Sequence, residues 1–366
     1  MTKFRPRIGF LIEGFSKSGG IRVIVDIANR FSAERFAVHI FAPDYSPDCP
    51  FPLSPNVKVH RLETKGKGVW RKVYYLWVAG AACVRSVDLV YATSYKTPFS
   101  ILFGRVTAGS HVKLVSFIQG VEGESIATFS SVSSALRIPV KVVAAISPRL
   151  ISTRIVVSHW IASRLKITAK VIPNGIDEAI FKRAQLMGGT STETIRIGCF
   201  YSPSPSKGFK IFELAMLLFQ QRSAKKIVVN LASTVTPLTA LQHNYFDGTL
   251  DQKVAEFYAS CDVFVFPSYS EGFGLPPLEA MASGTVVIAA KCGGVGEYAS
   301  IENGLWVDTG SPEQIADALV ALCSDSKLQA RLVAGGLATA RLFRKEHMQQ
   351  EHLAFAHLLL APDRVI

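Results

Sequence analysis

The feature that most constrains this chain is a regular alternation of short apolar, β-rich runs with longer segments of helical period. In the first half the predicted strands are residues 8–12, 36–41, 57–62, 88–92, 113–117 and 154–158, and in the second half 195–200, 226–231, 262–266 and 285–289. Between the first two strands, Ile21, Ile24, Ala28 and Phe31 keep the spacing of one helix face. Strands separated by helices are typical of parallel sheets, so we predict an α/β fold.

The length of 366 residues exceeds what one ordinary core absorbs, since domains cluster near ~100 to 200 residues. A stretch near Pro173 to Thr194 carries an Asn-Gly turn, a Gly-Gly pair and a Ser/Thr cluster, which are loop signals. We therefore predict an N-terminal domain over residues 1–172 and a C-terminal domain over 173–344, with a final helix at about 345–366 that packs back onto the first. No internal sequence repeat stands out. In doubly wound domains ligands bind at the carboxyl ends of the strands, so we expect the site in the cleft between the domains.

Composition narrows the class of protein. Forty Lys and Arg against 28 Asp and Glu give a net charge of +12, which favours nucleic acid, an acidic membrane surface or phosphorylated small molecules as partners. The six cysteines form no CxxC pair, so neither a disulfide scaffold nor a zinc site is indicated. The apolar run before Glu13 is too short for a secretory signal, and the 12 residues from Val73 to Val84 are too few for a membrane span of ~20. We expect a cytoplasmic protein.

Residues 262–297 are the most informative stretch. A buried strand ends at Pro267, a glycine-containing loop follows, and Pro276 and Pro277 open a short helix. Backbone N–H groups at that helix start, beside Gly272 and Gly274, would form a cradle for phosphate. Tight strand-to-helix packing would call for the same glycines, and the loop alone does not distinguish the two explanations.

Two carboxylates, Glu271 and Glu279, flank this loop with seven residues between them. We expect Glu271 in the loop and Glu279 in the first turn of the helix, both facing one crevice. The alternative for Glu279 is complementation of the helix dipole, and for Glu271 a solvated loop acid.

Taken together, these residues resemble the retaining GT-B glycosyltransferases that use nucleotide-activated sugars, of the glycosyl transferases group 1 or family 4 type. The resemblance rests on EGFGLPPLE (the E-x7-E signature), the following AMASG, the GGVGE turn, the upstream FDGTLDQKVAEFYASCDVFVFPS, VIPNGID at 171–177 and Ser206-Lys207-Gly208. It is strong from about residue 155 to 320 and weaker over the N-terminal domain.

This resemblance implies two Rossmann-like doubly wound domains, with the nucleotide sugar on the C-terminal one. The donor-binding residues that it implies are Lys207, Gly272, Phe273, Gly274, Leu275 and Glu279, and the catalytic residue is Glu271. In these roles Glu271 contacts the donor-sugar hydroxyls, Glu279 accepts from the ribose hydroxyls and Lys207 neutralises the diphosphate. The backbone of the loop cradles the diphosphate. Transfer would retain the anomeric configuration through an oxocarbenium-like state.

One departure concerns the phosphate clamp. The family usually carries an arginine five or six positions before the lysine, where this chain has Ser202 and Tyr201. Candidates to replace it are Lys210, Arg196 and Lys291. The missing arginine also raises an alternative, a non-catalytic subunit that binds nucleotide sugar without turnover.

The N-terminal loop EGFSKSGG resembles the glycine pair that the family places near the donor phosphate and the acceptor, which makes Gly19 and Gly20 candidate donor or acceptor contacts. A plain strand-to-helix turn is the alternative, because the loop lacks the GxGxxG pattern. Many relatives place a histidine where this chain has Ile118 and Gln119, so no catalytic histidine is assigned. Without a DxD pair or an HxxxH spacing, we expect no metal and no cofactor beyond the nucleotide sugar itself.

Residues 65–80 mix basic and aromatic side chains. The basic ones are Lys65, Lys67, Arg71 and Lys72, and the aromatic ones Trp70, Tyr74, Tyr75 and Trp77. This mixture suits an anionic membrane surface. A core helix with a basic lead-in is the alternative, and no nucleic-acid-binding motif accompanies it.

The predicted function is transfer of a sugar from a nucleotide diphosphate to a carbohydrate or lipid-linked acceptor, in polysaccharide or surface-glycan biosynthesis. A peripheral position at the inner face of the membrane is a further expectation. Glycoside hydrolysis by Glu271 and Glu279 is disfavoured, because it leaves the phosphate cradle and Lys207 unexplained.

Overall fold

The computed structural model describes residues 5–121, 134–181 and 193–361, with the side chains of 134–137 and 139 left aside. The chain divides into two compact units. The N-terminal unit comprises Met1–Pro173 and Glu346–Ile366, and the C-terminal unit comprises Asn174–Lys345. Residues 182–192 of the predicted junction and 362–366 of the predicted last helix lie outside the described residues.

Each unit is built on one parallel sheet. The strands of the N-terminal unit are β1 (Arg7–Leu11), β2 (Ala37–Pro43), β3 (Lys58–Leu62), β4 (Leu89–Ala92), β5 (Lys113–Ile118), β6 (Arg154–Val156) and β7 (Lys170–Val171), in the order β3-β2-β1-β4-β5-β6-β7. Those of the C-terminal unit are β8 (Thr194–Phe200), β9 (Lys226–Ser233), β10 (His243–Asp247), β11 (Val263–Phe266), β12 (Val286–Ala290) and β13 (Leu305–Val307), in the order β10-β9-β8-β11-β12-β13. In both sheets the second and third strands lie on one side of the first strand, and the later strands lie on its other side. This strand order makes each unit Rossmann-like and confirms the predicted α/β class.

Helices connect the strands. They are α1 (Gly19–Ala33), α2 (Gly68–Ser86), α3 (Thr97–Ala108), α4 (Ser134–Leu150), α5 (His159–Leu165), α6 (Glu178–Phe181), α7 (Phe209–Arg222), α8 (Asp251–Ala259), α9 (Leu275–Ala282), α10 (Pro312–Ser324), α11 (Ser326–Leu342) and α12 (Lys345–Leu360). Ser18 caps α1 by accepting from the Ile21 N–H, and Ile24, Ala28 and Phe31 of that helix are buried as its spacing predicts. None of the described helices has both the length and the apolar character needed to span a bilayer.

Three strands were missed by the sequence interpretation: β7, β10 and β13. β7 and β13 have two and three residues, and β10 (HNYFD) is a partly exposed edge strand. An edge strand has one neighbour and exposes polar side chains, so it lacks the continuous apolar run by which the buried strands are recognised.

Each sheet has its own arginine–aspartate clamp at the amino ends of its two central strands. The Arg7 guanidinium forms a two-pronged pair with Asp88, and Arg196 forms the same pair with Asp262, each with a shortest distance of 2.7 Å. Both arginines begin an Arg-Ile-Gly sequence, Arg7 at the first residue of β1 and Arg196 at the third residue of β8. The two sheets therefore place the same tripeptide at the same point of the fold.

The terminal helix α12 packs on the N-terminal unit. The Gln349 side chain donates to the Asp26 carbonyl at 2.8 Å, and Lys170 pairs with Glu351 at 2.8 Å. His352 is fully buried between the rings of Tyr91 and Phe117. This contact covers the face of the sheet opposite to α2 and α3.

Candidate functional site

Three loops meet at the carboxyl edge of the C-terminal sheet, after β8, β11 and β12. The Tyr269 N–H donates to the Ser206 carbonyl at 2.9 Å, which joins the first loop to the second. The Gly294 N–H donates to the Glu271 carbonyl at 2.9 Å, which joins the third loop to the second. The second loop, residues 267–274, is thus held from both sides by backbone hydrogen bonds.

Glycines make this close approach possible. A Cβ on Gly208 would lie 2.0 Å from the Pro267 carbonyl oxygen, and one on Gly293 would lie 2.1 Å from that of Glu271. Both glycines also have left-handed φ angles, of 69° and 56°. Any other residue would push the loops apart, so these glycines fix the backbone around Glu271.

Lys207 and Glu271 form an ion pair across the first two loops. The Lys207 Nζ lies 2.9 Å from the Glu271 Oε1, and the glutamate side chain is only 13% exposed. Burial alone would lower the pKa of Lys207, but the charge and hydrogen bond of Glu271 outweigh it and hold that pKa above its ordinary value. The lysine is therefore a permanent cation, and Glu271 is not the solvated loop acid of the alternative interpretation.

The glycine-containing loop leads directly into α9. Gly274, with φ 84°, precedes the helix, and a Cβ there would lie 2.6 Å from Val295. The Tyr298 hydroxyl donates to the Gly274 carbonyl, while the buried Phe273 ring packs on Tyr298. Packing thus accounts for Gly274. Of the four N-terminal positions that lack a partner within a helix, Pro276 and Pro277 carry no N–H, which leaves the N–H groups of Gly274 and Leu275 for phosphate.

Glu279 lies in the second turn of α9, not in the first turn as predicted, because the helix begins at Leu275. Complementation of the helix dipole, which acts within the first turn, therefore does not explain it. Glu279 is 8% exposed, and its Oε2 accepts from the buried Tyr258 hydroxyl at 2.9 Å.

The residues that replace the expected arginine do not provide a second cation. The Ser202 Oγ accepts from the Ser204 N–H, and the Tyr201 ring packs edge-on against Phe209. Arg196 is excluded as the substitute, because its clamp to Asp262 lies at the opposite end of the sheet.

Two lysines remain from the predicted substitutes. Lys210 is 86% exposed on α7 and pairs with Glu213. Lys291 directly follows β12, is exposed, and stands two residues before Gly293, which contacts the Glu271 backbone. Its position at the carboxyl edge makes Lys291 the better candidate.

In the N-terminal unit, Gly19 and Gly20 form the start of α1. The Gln119 side chain, at the end of β5, donates to the Gly20 carbonyl at 3.2 Å. A second ion pair lies at this edge, between Lys96 after β4 and Glu13 after β1, at 2.5 Å. A Cβ on Gly20 would lie 3.5 Å from Gln119, so steric need does not explain this glycine.

Metal-binding groups do not assemble in the described part of the chain, where no three His, Cys, Asp or Glu side chains converge. Cys292 adjoins the site, but burial, reinforced by Glu271, raises the pKa of its thiol to about 12. Cys292 is thus a neutral side chain and not a nucleophile.

The sequence assigns no role to Tyr258, and it marks Gln119 only as a residue at the place where many relatives carry a histidine. Tyr258 shares a buried helix face with Val254 and Phe257, and a buried tyrosine hydroxyl requires a partner, which is the signal that could have linked it to a buried acid.

The part of the chain that contains α9 is similar in sequence to known glycosyl transferases. Residues 238–337 match the family model for glycosyl transferases group 1. A D-inositol 3-phosphate glycosyltransferase of Nocardioides sp. is 40% identical over 103 residues, 28% of this chain and 22% of the relative. An N,N'-diacetylbacillosaminyl-diphospho-undecaprenol alpha-1,3-N-acetylgalactosaminyltransferase of Campylobacter jejuni is 32% identical over 101 residues, 27% of each chain. The alignments thus span about a quarter of each relative's length.

Solved structures match over nearly the whole chain. Anabaena HepE, in complex with UDP and glucose, gives a TM-score of 0.72 at 19% identity, covering 95% of this chain and 98% of that one. WaaG, a glycosyltransferase involved in lipopolysaccharide biosynthesis, gives 0.75 at 16% identity, covering 97% and 100%. The resemblance inferred from the sequence is thereby confirmed: this chain has the GT-B fold of two Rossmann-like units, and its C-terminal unit matches the glycosyl transferases group 1 family.

Proposed function

We propose that this chain transfers a sugar from a nucleotide-diphosphate donor to a carbohydrate or lipid-linked acceptor, with retention of the anomeric configuration. The observation that carries the proposal is the Lys207–Glu271 pair, held by interlocked loops beside the start of α9. A cation and a helix N-terminus are suited to a diphosphate, while a fixed carboxylate is suited to sugar hydroxyls. The site thus offers both halves of a nucleotide sugar a complementary partner.

In this mechanism the bond from the anomeric carbon to the diphosphate oxygen breaks as the acceptor oxygen bonds to the same face of that carbon. Lys207 and the backbone N–H groups of Gly274 and Leu275 at the start of α9 stabilise the negative charge that develops on the departing diphosphate. The acceptor's proton passes to the departing phosphate oxygen. Glu271, fixed by its own backbone contacts, holds the sugar hydroxyls and opposes the positive charge that develops at the anomeric carbon.

Glu279 binds the ribose of the donor. Tyr258 engages one carboxylate oxygen and so orients the side chain before the nucleotide arrives. A carboxylate is an acceptor-only group, which suits a pair of ribose hydroxyls. The other residues of the donor site act through their backbone, because Phe273 and Leu275 direct buried side chains into the core.

Lys291 supplies the second positive charge in place of the missing arginine. It lies at the carboxyl end of β12, next to the loop that touches Glu271. Lys291→Ala should weaken nucleotide binding, and Lys210→Ala is the matched control because Lys210 is occupied by Glu213. Equal affinities for the two variants would remove Lys291 from the site.

The test of the proposed function is a thermal-shift panel of nucleoside diphosphates and their sugars, followed by turnover assays with candidate acceptors. A ligand at 100 times its Kd stabilises the folded state by ~2.7 kcal/mol, which such a panel resolves. We expect one nucleotide to be selected and turnover to persist in excess EDTA, since no divalent ion is needed in this mechanism. Absence of any nucleotide effect would overturn the proposal, and loss of turnover restored by magnesium or manganese would overturn its metal independence.

A second candidate is a non-catalytic subunit that binds the nucleotide sugar. It is favoured by Ser202 and Tyr201, which stand where the family usually has the arginine of the phosphate clamp and which provide no positive charge. Such a subunit would respond to the nucleotide panel but show no turnover with any acceptor.

For the biological setting, we place the reaction in surface-glycan assembly at the inner face of a membrane, in the cytoplasm. The support comes from two proteins that resemble this chain: one has an acceptor named as undecaprenol-linked, and the other is involved in lipopolysaccharide biosynthesis. Assay of lipid-linked against soluble acceptors tests this assignment.

A further inference from the structure

Exposed hydrophobic side chains concentrate on one layer of the N-terminal unit. Of the twenty large hydrophobic residues that the described part of the chain exposes, ten come from α2, α3 and α4. They are Val69, Trp70, Val73, Trp77, Phe99, Phe103, Val106, Ile138, Val142 and Ile146. Trp70 is 77% exposed and Val106 82%, so these side chains stand in solvent. We call them the outer face of the layer.

The outer face is continuous because the helices beneath it are in backbone contact. A Cβ on Gly80 of α2 would lie 1.8 Å from the Ser100 carbonyl oxygen of α3, and one on Gly104 would lie 2.3 Å from the Gly80 carbonyl carbon. At this close approach the rings of Trp77 and Phe103 come within 6.4 Å, centroid to centroid. Helix α4 packs in turn against α3.

The inner side of the same layer belongs to the core, as the core-helix interpretation of residues 65–80 predicts. The fully buried Tyr75 donates its hydroxyl to the carbonyls of Ile12 and Phe41, at 2.6 and 2.9 Å. Helix α2 is therefore a core helix on one side. Its other side carries Trp70 and Trp77, which no core contact requires to be apolar.

The charge of the layer has a single sign. The three helices contain no Asp or Glu, and their basic residues are Arg71, Lys72, Arg85, Arg105, Arg137, Lys141 and Arg149. Arg71 pairs with Asp44, whereas Lys72 and Lys141 are exposed beside outer-face residues. Lys65 and Lys67, both exposed, precede α2 and outnumber the one exposed acid of that lead-in, Glu63.

We infer that the outer face docks this protein on an anionic lipid surface. Tryptophan is favoured at the boundary between headgroups and acyl chains, aliphatic side chains enter the acyl region, and each basic residue near an anionic surface adds ~1 kcal/mol. A second copy of the chain is the poorer occupant, because a two-fold contact would oppose two acid-free basic layers. This inference does not rest on the proposed function, since it concerns binding without a donor or an acceptor.

The experiment is sedimentation of the full chain with vesicles of phosphatidylglycerol in phosphatidylcholine, against vesicles of phosphatidylcholine alone. We expect binding to the anionic vesicles only, and a fall in binding as salt is raised. The double variant Lys72→Gln with Lys141→Gln should lower partitioning about 30-fold, the equivalent of about 2 kcal/mol. Trp70→Ser with Trp77→Ser should abolish detectable sedimentation.

Matched controls lie in the C-terminal unit. Ile301→Ser with Leu342→Ser removes two apolar side chains that are 77% and 73% exposed, and Lys226→Gln with Lys327→Gln removes the charge of two exposed lysines. Both controls should bind vesicles as the unaltered chain does. Equal binding by all variants, or equal loss in the controls, would overturn the inference. So would a chain that ignores vesicles but forms a dimer in sedimentation equilibrium that Trp70→Ser with Trp77→Ser dissociates, because the occupant would then be a second copy.

Discussion

The two units have the same strand order around their first strand and differ in the loops at the carboxyl edge of the sheet. In each, a two-pronged arginine–aspartate clamp joins the central strands at their amino ends, Arg7–Asp88 in one and Arg196–Asp262 in the other. In each, a lysine–glutamate pair joins the loops at the carboxyl ends of the same two strands. The charges are exchanged: the N-terminal unit has its glutamate after the first strand, and the C-terminal unit its lysine.

The difference lies in how tightly the loops are enclosed. Backbone atoms fill the space beside Gly208 and Gly293 in the C-terminal unit, whereas a Cβ on Gly20 would meet only a side chain at 3.5 Å. Glu271 is 13% exposed, whereas Glu13 is 35% exposed. The clamp is thus a feature of the fold, and a rigid, enclosed loop is a feature of the proposed donor site.

The largest expected effect concerns the contribution of Glu271, the enclosed carboxylate, to turnover. Glu271→Gln should lower turnover by roughly 100-fold or more, because its interaction strengthens as charge develops in the transition state. Affinity for the free nucleotide should not fall, since the free nucleotide lacks the transferred sugar that Glu271 contacts, and Lys207 loses a competing partner. Titration calorimetry and initial rates give both quantities.

Glu279→Gln is the companion variant, and it should weaken nucleotide and donor affinity together with a smaller effect on turnover. Wild-type turnover in Glu271→Gln would contradict its catalytic role. Unchanged ribose recognition with lower thermal stability in Glu279→Gln would make Glu279 a structural partner of Tyr258 only.

The next effect concerns glycines, which are tightly enclosed at the carboxyl edge of the C-terminal sheet but not at that of the N-terminal sheet. Gly293→Ala should destabilise the chain by roughly 2 kcal/mol or more, because it adds a clash with the Glu271 carbonyl to an unfavourable positive φ. Gly20→Ala, at an ordinary van der Waals contact, should leave the free energy of unfolding within about 0.5 kcal/mol. Denaturant unfolding of both variants measures the contrast, and equal losses would mean that the N-terminal loop is as tightly enclosed as the C-terminal one.

A third effect compares the two lysines. Lys207→Ala should weaken nucleotide binding by about 1.5 to 3 kcal/mol, the range for a charge-assisted contact. Lys96→Ala removes the corresponding lysine from the N-terminal unit and should leave nucleotide affinity unchanged. An unaltered dissociation constant in folded Lys207→Ala would place the diphosphate elsewhere.

The last comparison concerns buried polar groups in the two units. In the C-terminal unit Tyr258 is satisfied by Glu279, whereas in the N-terminal unit neither His352 ring nitrogen has a hydrogen-bond partner among the described residues. Burial lowers the pKa of His352 to about 3. Because the unfolded chain then binds the proton more readily than the folded one, this residue's contribution is fully present above pH ~6.5 and is lost as the pH falls.

The expected loss between pH 7 and pH 5 is about 2 kcal/mol in the unaltered chain. His352→Leu should lack this component, so its free energy of unfolding should fall less over the same interval. Parallel pH dependence in the two proteins would show that the pKa of His352 is the same in the folded and unfolded states.

The sequence by itself determined the α/β class, because buried parallel strands are continuous apolar runs that pattern alone reveals. It also determined the resemblance to group 1 glycosyl transferases, since a loop that needs glycines, prolines and acids at fixed spacing leaves a readable local motif. The family match and the structural similarity confirmed both. The sequence did not predict the short edge strands β7, β10 and β13, because strands at the exposed edge of a sheet lack a continuous apolar run.

Only the tertiary structure decided which distant groups meet. It placed Lys207 against Glu271, 64 residues apart, and Tyr258 against Glu279, moved Glu279 out of the first helical turn, and set Arg196 at the wrong end of the sheet for phosphate. It also divided the basic aromatic segment into a buried and an exposed side. Contacts between separate loops depend on strand order and helix packing, which local sequence spacing does not encode.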